Sequence, residues 1–408
     1  MDEKQNIKDV SNQKDTKLQI DSVDDYANEI VEDDNYQRKY RWPVVLRFVC
    51  LHLCALYGLY LSVTTSKYQS LVFVFVTGYL SGLGLTAGAH RLWSHKAYKA
   101  KWPLRLFLTF FNTMAFDDSI YSYVKMHRLH HKYAETVADP HNYNEGFWFS
   151  HYGWKMMTRH PKYLEMLKKQ DLGDVLDDPF VRYQRKFYIP LVLICCFAIP
   201  TFIPFFCWNE DLITAFCICA TFRWCVVTHA KATVNSLAHR WGQKPYDKTP
   251  GHACENKIVV WLAFGEGFHN FHHAFPWDYK QSELNWQYNM NLSAALIDFA
   301  AKLGLAYDLK KASAAMVEHR RKRTGEPMPE NIEEPKKRSF CEWVISVMMF
   351  FFPIILWCVC RFCFNLVYIQ VFGDTDKNIH NFILDFLAVH LLPHLQNYFE
   401  YIKSQMQL

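Results

Sequence analysis

Nine of the nineteen histidines fall into four short groups. His90-Arg-Leu-Trp-Ser-His95 sets two of them five residues apart, and Asn235-Ser-Leu-Ala-His239 puts an amide four residues before a third. His127-Arg-Leu-His130-His131 and His269-Asn-Phe-His272-His273 share one H-x-x-H-H order. Residues three and four apart are neighbours on a helix face. At roughly 100° per residue, each H-x-x-H-H group fills one sector about 100° wide. Asn235 and His239 share a face for the same reason. His90 and His95 differ, because five residues overshoot a full turn by about 140°. That pair needs a helix that ends or bends between its members.

Imidazole nitrogen suits zinc, copper and iron. One tetrahedral zinc takes only four ligands, so nine imidazoles suit two metals with four or five nitrogens each. Iron gives access to oxygen chemistry, which redox-inert zinc does not. The Glu and Glu-x-x-His arrangement of soluble di-iron bundles does not occur among these groups. Outside them, His52, His151, His160, His229, His319, His380, His390 and His394 read singly as ordinary polar or interfacial residues.

The elements that must position these groups are apolar. A hydrocarbon core of ~30 Å needs about 20 helical residues. Val44–Val63, Leu71–Ala89, Phe187 to about Trp208, and Leu212 to about Val234 each supply such a run. The link before Leu71 is short, and Trp208-Asn-Glu-Asp211 is acidic. Basic residues gather at 91–105, 125–132, 155–186 and 240–257. The positive-inside rule then predicts two membrane hairpins with both short links outside the cytosol. Every histidine group lies at the cytosolic end of a span or in a cytosolic segment, so all can converge under the membrane. Three shorter apolar stretches, 104–116, 259–268 and 292–305, read as interfacial, re-entrant or core helices.

Half of the 408 residues are apolar, 17% are aromatic and 21% charged, which excludes a chain disordered throughout. A net charge of +5 without an arginine-rich or zinc-finger pattern gives no reason to expect nucleic acid as a partner. Thirteen cysteines, mostly inside apolar runs, read as buried reduced thiols, and the lone Cys360-x-x-Cys363 reads as packing. Residues 1–41 form a polar, acid-rich tail expected to be disordered and cytosolic. Residues 42–325 are the membrane and histidine-bearing domain, 326–339 a charged linker, and 340–408 a hydrophobic C-terminal extension. Within that extension Trp343–Cys360 is uncharged and long enough to be membrane-embedded.

His90 to His95, Asn112-Thr-Met-Ala-Phe116, His127 to His131, Asp139-Pro-His-Asn142, Asn235 to His239 and Gly265-Glu-Gly-Phe-His-Asn-Phe-His-His273 occur in that order. Over residues 42–325 this series resembles the membrane acyl-CoA Δ9 desaturases, the stearoyl-CoA desaturase family, and within it the animal and especially the insect branch. The resemblance implies an all-α integral membrane fold. Four transmembrane helices in two hairpins would be capped by a cytosolic helical domain holding a dinuclear iron site. The C-terminal extension, read as an extra hydrophobic helical region, has no counterpart in that family pattern. It implies an enzyme of the endoplasmic reticulum membrane, with N-terminus and metals on the cytosolic side. Fatty acyl-CoA, O2 and two electrons would yield a cis-unsaturated acyl-CoA and water. The electrons would come from NADH through a reductase and cytochrome b5. Carried over position by position, the metal ligands would be His90, His95, His127, His130, His131, His239, His269, His272 and His273, with Asn235 holding a metal-bound water. Glu266 and Asp139 are expected to orient histidine N–H groups.

Some positions depart from the family pattern. An Arg-Asp pair that would hold the CoA headgroup is Lys125-Met126 here, a nearby Asn is Asp118, a Trp is Ala232, and an Arg-Lys pair is Thr158-Arg159. Lys125 and Arg159 remain as cations for phosphates. In the family an aromatic often closes the acyl tunnel two to three turns before the first metal-site histidine. The corresponding residues are Gly78 and Gly82, which implies either a deeper tunnel or close helix packing. A membrane fatty-acyl hydroxylase, or a non-catalytic relative that keeps its metals as a staple, are the alternative functions.

Overall fold

The computed structural model describes residues 36–249 and 253–327, together with residues 357, 359, 361 and 363. The expectations for residues 1–35, for the linker from 328 onward, and for nearly all of the C-terminal extension lie outside the described residues.

Four helices are long and apolar enough to cross a membrane: α1 (Trp42–Thr64), α2 (Tyr68–Ser94), α7 (Tyr188–Trp208) and α8 (Leu212–Arg240). They match the four expected runs, with α7 starting one residue later, and α2 and α8 continue several residues further so that they carry histidines beyond the apolar stretch. α1 starts with a proline in its first turn, where the missing N–H leaves no bond unmade. α1 and α8 approach closely at Gly58, where a Cβ would lie 2.2 Å from the Cys217 carbonyl oxygen. Without a side chain there, the backbones can touch.

The two short links meet at one end of the bundle. The Lys67 ammonium donates to the carbonyls of Trp208 and Asn209 at 2.7 and 2.6 Å. Glu210 accepts from the Lys67 backbone N–H at 2.8 Å and from the Ser70 hydroxyl. This contact fixes both hairpins the same way up. Deeper in the bundle Arg223 is 1% exposed, and its guanidinium reaches the Ser81 hydroxyl and the carbonyls of Met114, Cys196 and Cys219 at 3.0–3.2 Å. A cation at that depth is tolerable because its donors are met within the bundle.

At the opposite end the remaining helices of six or more residues form a cap. These are α3 (Trp102–Ala115), α4 (Ile120–Tyr133), α5 (Pro161–Lys168), α6 (Pro179–Lys186), α9 (Lys257–Leu262), α10 (His269–Ala274), α11 (Leu292–Lys302) and α12 (Ala314–Thr324). A two-residue ribbon joins Lys99–Ala100 to Ala306–Tyr307 in antiparallel register. The cap core gathers Trp93, Leu108, Ile120, Val124, Val181, Tyr279 and Ile297. The stretch expected at 104–116 is α3. It buries Leu104 and Leu108 and turns Trp102 and Leu106 outward. Its contact with α2 is tight, since a Cβ on Gly84 would sit 2.3 Å from the Asn112 nitrogen. The stretch at 259–268 is only partly helical. α9 stops at Leu262, and Phe264 (φ +61°) and Gly265 (φ +104°) turn the chain toward α10.

Candidate metal centre

The last eleven residues of α2, Gly84–Ser94, are wound as a π-helix. Wider i→i+5 winding lets residues five apart share a face. The His95 N–H bonds the His90 carbonyl at 3.2 Å, and the Ser94 hydroxyl bonds the Ala89 carbonyl at 2.7 Å. The wider winding, with α2 ending at Ser94, brings the centroids of the His90 and His95 rings within 5.0 Å of each other. α4 is capped by Ser119, whose hydroxyl accepts the Ser122 N–H at 3.2 Å, and it presents the first H-x-x-H-H group. α10 presents the second, and the end of α8 presents Asn235 and His239.

These four elements bring all nine grouped histidines together in two sets. His90, His95, His127, His131 and His272 form one; His130, His239, His269 and His273 form the other. Ligand atoms within each set lie within 4.8 Å of one another. Each H-x-x-H-H group serves both sets. His127 and His131, four apart, go to the first while His130 goes to the second; His269 and His273 go to the second while His272 goes to the first.

The imidazoles face one another through Nε2. The separations are 3.0 Å for His90–His272, 2.7 Å for His95–His127 and 2.9 Å for His131–His272 in the first set. In the second they are 3.0 Å for His239–His269 and 3.2 Å for His269–His273. The Nδ1 atoms point away, three of them to carboxylates. His90 Nδ1 contacts Glu266, His130 Nδ1 lies 2.9 Å from Asp139, and His239 Nδ1 lies 2.8 Å from Glu135. A ring whose Nδ1–H donates to a carboxylate presents a bare lone pair at Nε2, the form that binds metal. Such lone pairs converging at these distances need cations between them, so the donor set fits two metal ions.

Burial, reinforced by neighbouring histidines, holds His95, His127, His131, His269, His272 and His273 well below the ordinary imidazole range. They are neutral at neutral pH. Burial opposes a charge on Glu266, but His90 and Arg91 outweigh it and hold the carboxyl below its usual range. Arg91, fully buried, donates to Glu266 at 2.7 Å and to the carbonyls of Tyr279 and Lys280 at 2.9 and 3.0 Å, which locks the carboxylate behind His90.

The sequence profile of the fatty acid desaturase family matches residues 66–311. The chain belongs to that family. Similar proteins include the acyl-CoA Delta-9 desaturase of Acheta domesticus, 47% identical over 71% of this chain and 80% of that protein. The acyl-CoA Delta(11) desaturase of Trichoplusia ni is 48% identical over 71% and 82%. Stearoyl-CoA desaturase 2 of Mus musculus is 45% identical over 74% and 84%. Like other members of this oxidoreductase family, the protein is a multi-pass helical chain with clustered histidines.

A small cavity of about 40 Å³ opens between the two histidine sets, walled by His90, His127, His130, His269, Asn235 and Phe264 among others. The Asn235 amide nitrogen is buried there with no protein partner. A larger apolar cavity of about 410 Å³ lies next to it, lined by Val74, Gly78, Val226, Trp261 and Trp357 among others. Phe264 and Val227 border both.

The two glycines separate here. Gly78 faces the larger cavity, and a Cβ on it would make only ordinary contacts of 3.7 and 3.8 Å. Gly82 borders the small cavity instead, and the Phe264 ring lies where its side chain would start: a Cβ would come 2.1 Å from Cε2. The two glycines thus line different cavities, Gly78 the larger and Gly82 the smaller. Ala232 is buried against the α1–α8 core. Lys125 is half-buried on α4. Arg159 is turned inward, stacked 4.5 Å over Trp154 and donating to the carbonyls of Pro140 and Trp154 at 3.2 and 3.0 Å. Asp118 lies 3.3 Å from the Lys155 ammonium, which also holds Asp117.

Several contributors were not read from the sequence. Glu135 behind His239 sits in a left-handed residue (φ +62°) that also positions the Tyr143 N–H at 2.9 Å from its other oxygen. Its position four residues before Asp139 was the available signal. His141 is buried beside His130, with ring centroids 4.3 Å apart, and it stands inside the Asp-Pro-His-Asn string. His52, His151 and His229, read singly, in fact lie together.

Proposed function

We propose that this member of the fatty acid desaturase family introduces a cis double bond, at Δ9, into a saturated fatty acyl-CoA. Two irons would be held by the five-histidine and four-histidine sets, with Asn235 binding one of them through water. Bound there, iron would supply the oxidising power needed to take hydrogen from an unactivated methylene, which no side chain can do. For each double bond, two hydrogens leave adjacent methylenes. One O2, two electrons and two protons leave with them as two waters. The electrons are assigned to cytochrome b5 and its NADH-linked reductase at the endoplasmic reticulum membrane. The N-terminus and histidines face the cytosol, in keeping with the basic character of that end.

The observation that carries this reading is the cross-sharing of both H-x-x-H-H groups between two Nε2 sets beside a cavity that adjoins apolar space. In that arrangement Glu266, Asp139 and Glu135 fix imidazole tautomers and ring directions. Phe264 and Val227 exclude water from the border between the polar and apolar cavities. Gly78 leaves room for the distal acyl chain. Lys125 and Asp118 are assigned to the headgroup, with Ala232 where the family carries a bulkier ring. Arg159 contributes there by fixing Trp154 rather than by a free guanidinium.

Expression in a desaturase-deficient yeast, with fatty-acid profiling, tests the reading. Restored growth without added unsaturated fatty acid and a Δ9 monounsaturated product support it. A hydroxylated product, or a metal-loaded protein that leaves every acyl-CoA unchanged, overturns it.

A further inference from the structure

Away from the nine-histidine centre, α1 and α8 bring a second cluster of ligand-type side chains together. His52 Nε2 on α1 lies 2.9 Å from His229 Nε2 on α8. Cys225 stands four residues before His229 on the same face, and the three ligand atoms lie within 4.8 Å of one another. All three residues are half-buried.

The other ring nitrogens are engaged outward. His52 Nδ1 donates to the Phe48 carbonyl at 2.7 Å, which leaves its Nε2 bare. His229 Nδ1 lies 3.0 Å from His151 Nε2, and His151 Nδ1 lies 2.8 Å from the Ser236 hydroxyl oxygen. That hydroxyl donates to the Ala232 carbonyl at 3.0 Å. With its proton spent there, Ser236 accepts from His151 Nδ1–H, and His151 Nε2 accepts from His229 Nδ1–H. His229 Nε2 is then bare as well. Two lone pairs face each other beside a thiol, with each ring held from behind, as metal-binding imidazoles are. The Nε2 separation falls within the range seen in the main centre.

We propose that His52, Cys225 and His229 form a third metal site, for a soft monovalent cation of the Cu(I) class. Thiolate and imidazole are its preferred donors. Binding displaces the Cys225 thiol proton to solvent, so one cation, one thiolate and two neutral imidazoles sum to zero charge. A neutral site carries the least desolvation cost between two membrane helices. Zn2+ in the same ligands would leave a net positive charge. The bound ion would clamp α1 to α8, with His151 as the positioning residue behind His229. Nothing in this site depends on the proposed desaturation.

The test is a Cu(I) titration of the iron-loaded full-length protein in detergent, buffered by bicinchoninate as competing chelator. Wild type is expected to take up one tight equivalent that Cys225→Ser and His229→Asn lose, with iron content unchanged in all three. His151→Ala is expected to weaken that equivalent by roughly 10–100-fold, the usual effect of removing a support behind a ligand. Equal Cu(I) uptake by wild type, Cys225→Ser and His229→Asn would overturn the site and leave an ordinary hydrogen-bonded histidine chain. Zn2+ bound in a Cys225-dependent way while Cu(I) is ignored would overturn the charge-balance assignment.

Discussion

Replacing Gly78 with tyrosine tests how the apolar cavity is used. The substitution starts from an unstrained site, because a Cβ at Gly78 meets only Arg223 Cγ at 3.7 Å and Val227 Cγ2 at 3.8 Å. Beyond that Cβ the side chain has one direction with room, the cavity of about 410 Å³. A phenol placed there takes space that distal methylenes of an acyl chain would otherwise occupy. Each buried methylene is worth about 0.8 kcal/mol. Excluding two of them costs a longer chain about 1.6 kcal/mol, a shift of roughly fifteenfold toward the shorter substrate. Gly78 stands twelve residues before His90, and no histidine lines its cavity, so iron content should not move. Competition between two acyl-CoAs differing by two carbons, read as the ratio of unsaturated products from microsomes, measures the shift directly. An unchanged ratio in a folded, iron-loaded Gly78→Tyr protein would refute the tunnel reasoning and leave Gly78 as a helix-packing residue.

Gly82→Ala should destabilise the protein, because its Cβ would lie 2.1 Å from the Phe264 ring; Phe264→Ala should relieve much of that cost in the double variant, a coupling read from thermal unfolding. His130→Ala or His272→Ala should abolish turnover while the chain still inserts in membranes, and full activity in either would sink the site assignment. Acid should destabilise the metal-free protein: the unfolded chain protonates its histidines below about pH 6.5, while burial holds six of the nine well below that value. The unfolded state then binds more protons, so stability is full above about pH 6.5 and is lost as pH falls below it, as unfolding midpoints at two pH values would show. Trp357 packs 5.4 Å from Phe222, and Arg361 donates to Ser66 at 3.2 Å beside the α1–α2 link. Residues 357 and 361 therefore stand near the first and fourth spans, and replacing Arg361 with Ala should lower the thermal midpoint of the detergent-solubilised protein; an unchanged midpoint would refute a stabilising role for that contact.

Legibility in this sequence follows the distance over which a contact is set. The four spans were readable because a membrane helix is specified by local composition, and their ends moved by more than three residues only where histidine-bearing turns extend α2 and α8 past the apolar runs. The H-x-x-H-H groups were readable because a helix face follows from offsets of three and four. His90 and His95 were readable as ligands but not as geometry, since nothing in a string of eleven residues announces i→i+5 winding; the glycines at 84 and 88 and the close approach of α3 become meaningful only once α3 is in place. Gly82 shows the limit most clearly. From its own neighbours it reads as an empty place on a helix face. The residue that fills it, Phe264, lies far along the chain, beyond two further spans, and reaches it because Gly265 turns the backbone after α9. His52, His151 and His229 teach the same point from the other side. Each is unremarkable in its own segment, and their chemistry exists only in the contact of α1, α8 and the turn between Phe149 and Gly153. A site whose ligands share one short motif can be read before folding, whereas a site with one ligand per element is created by the packing itself.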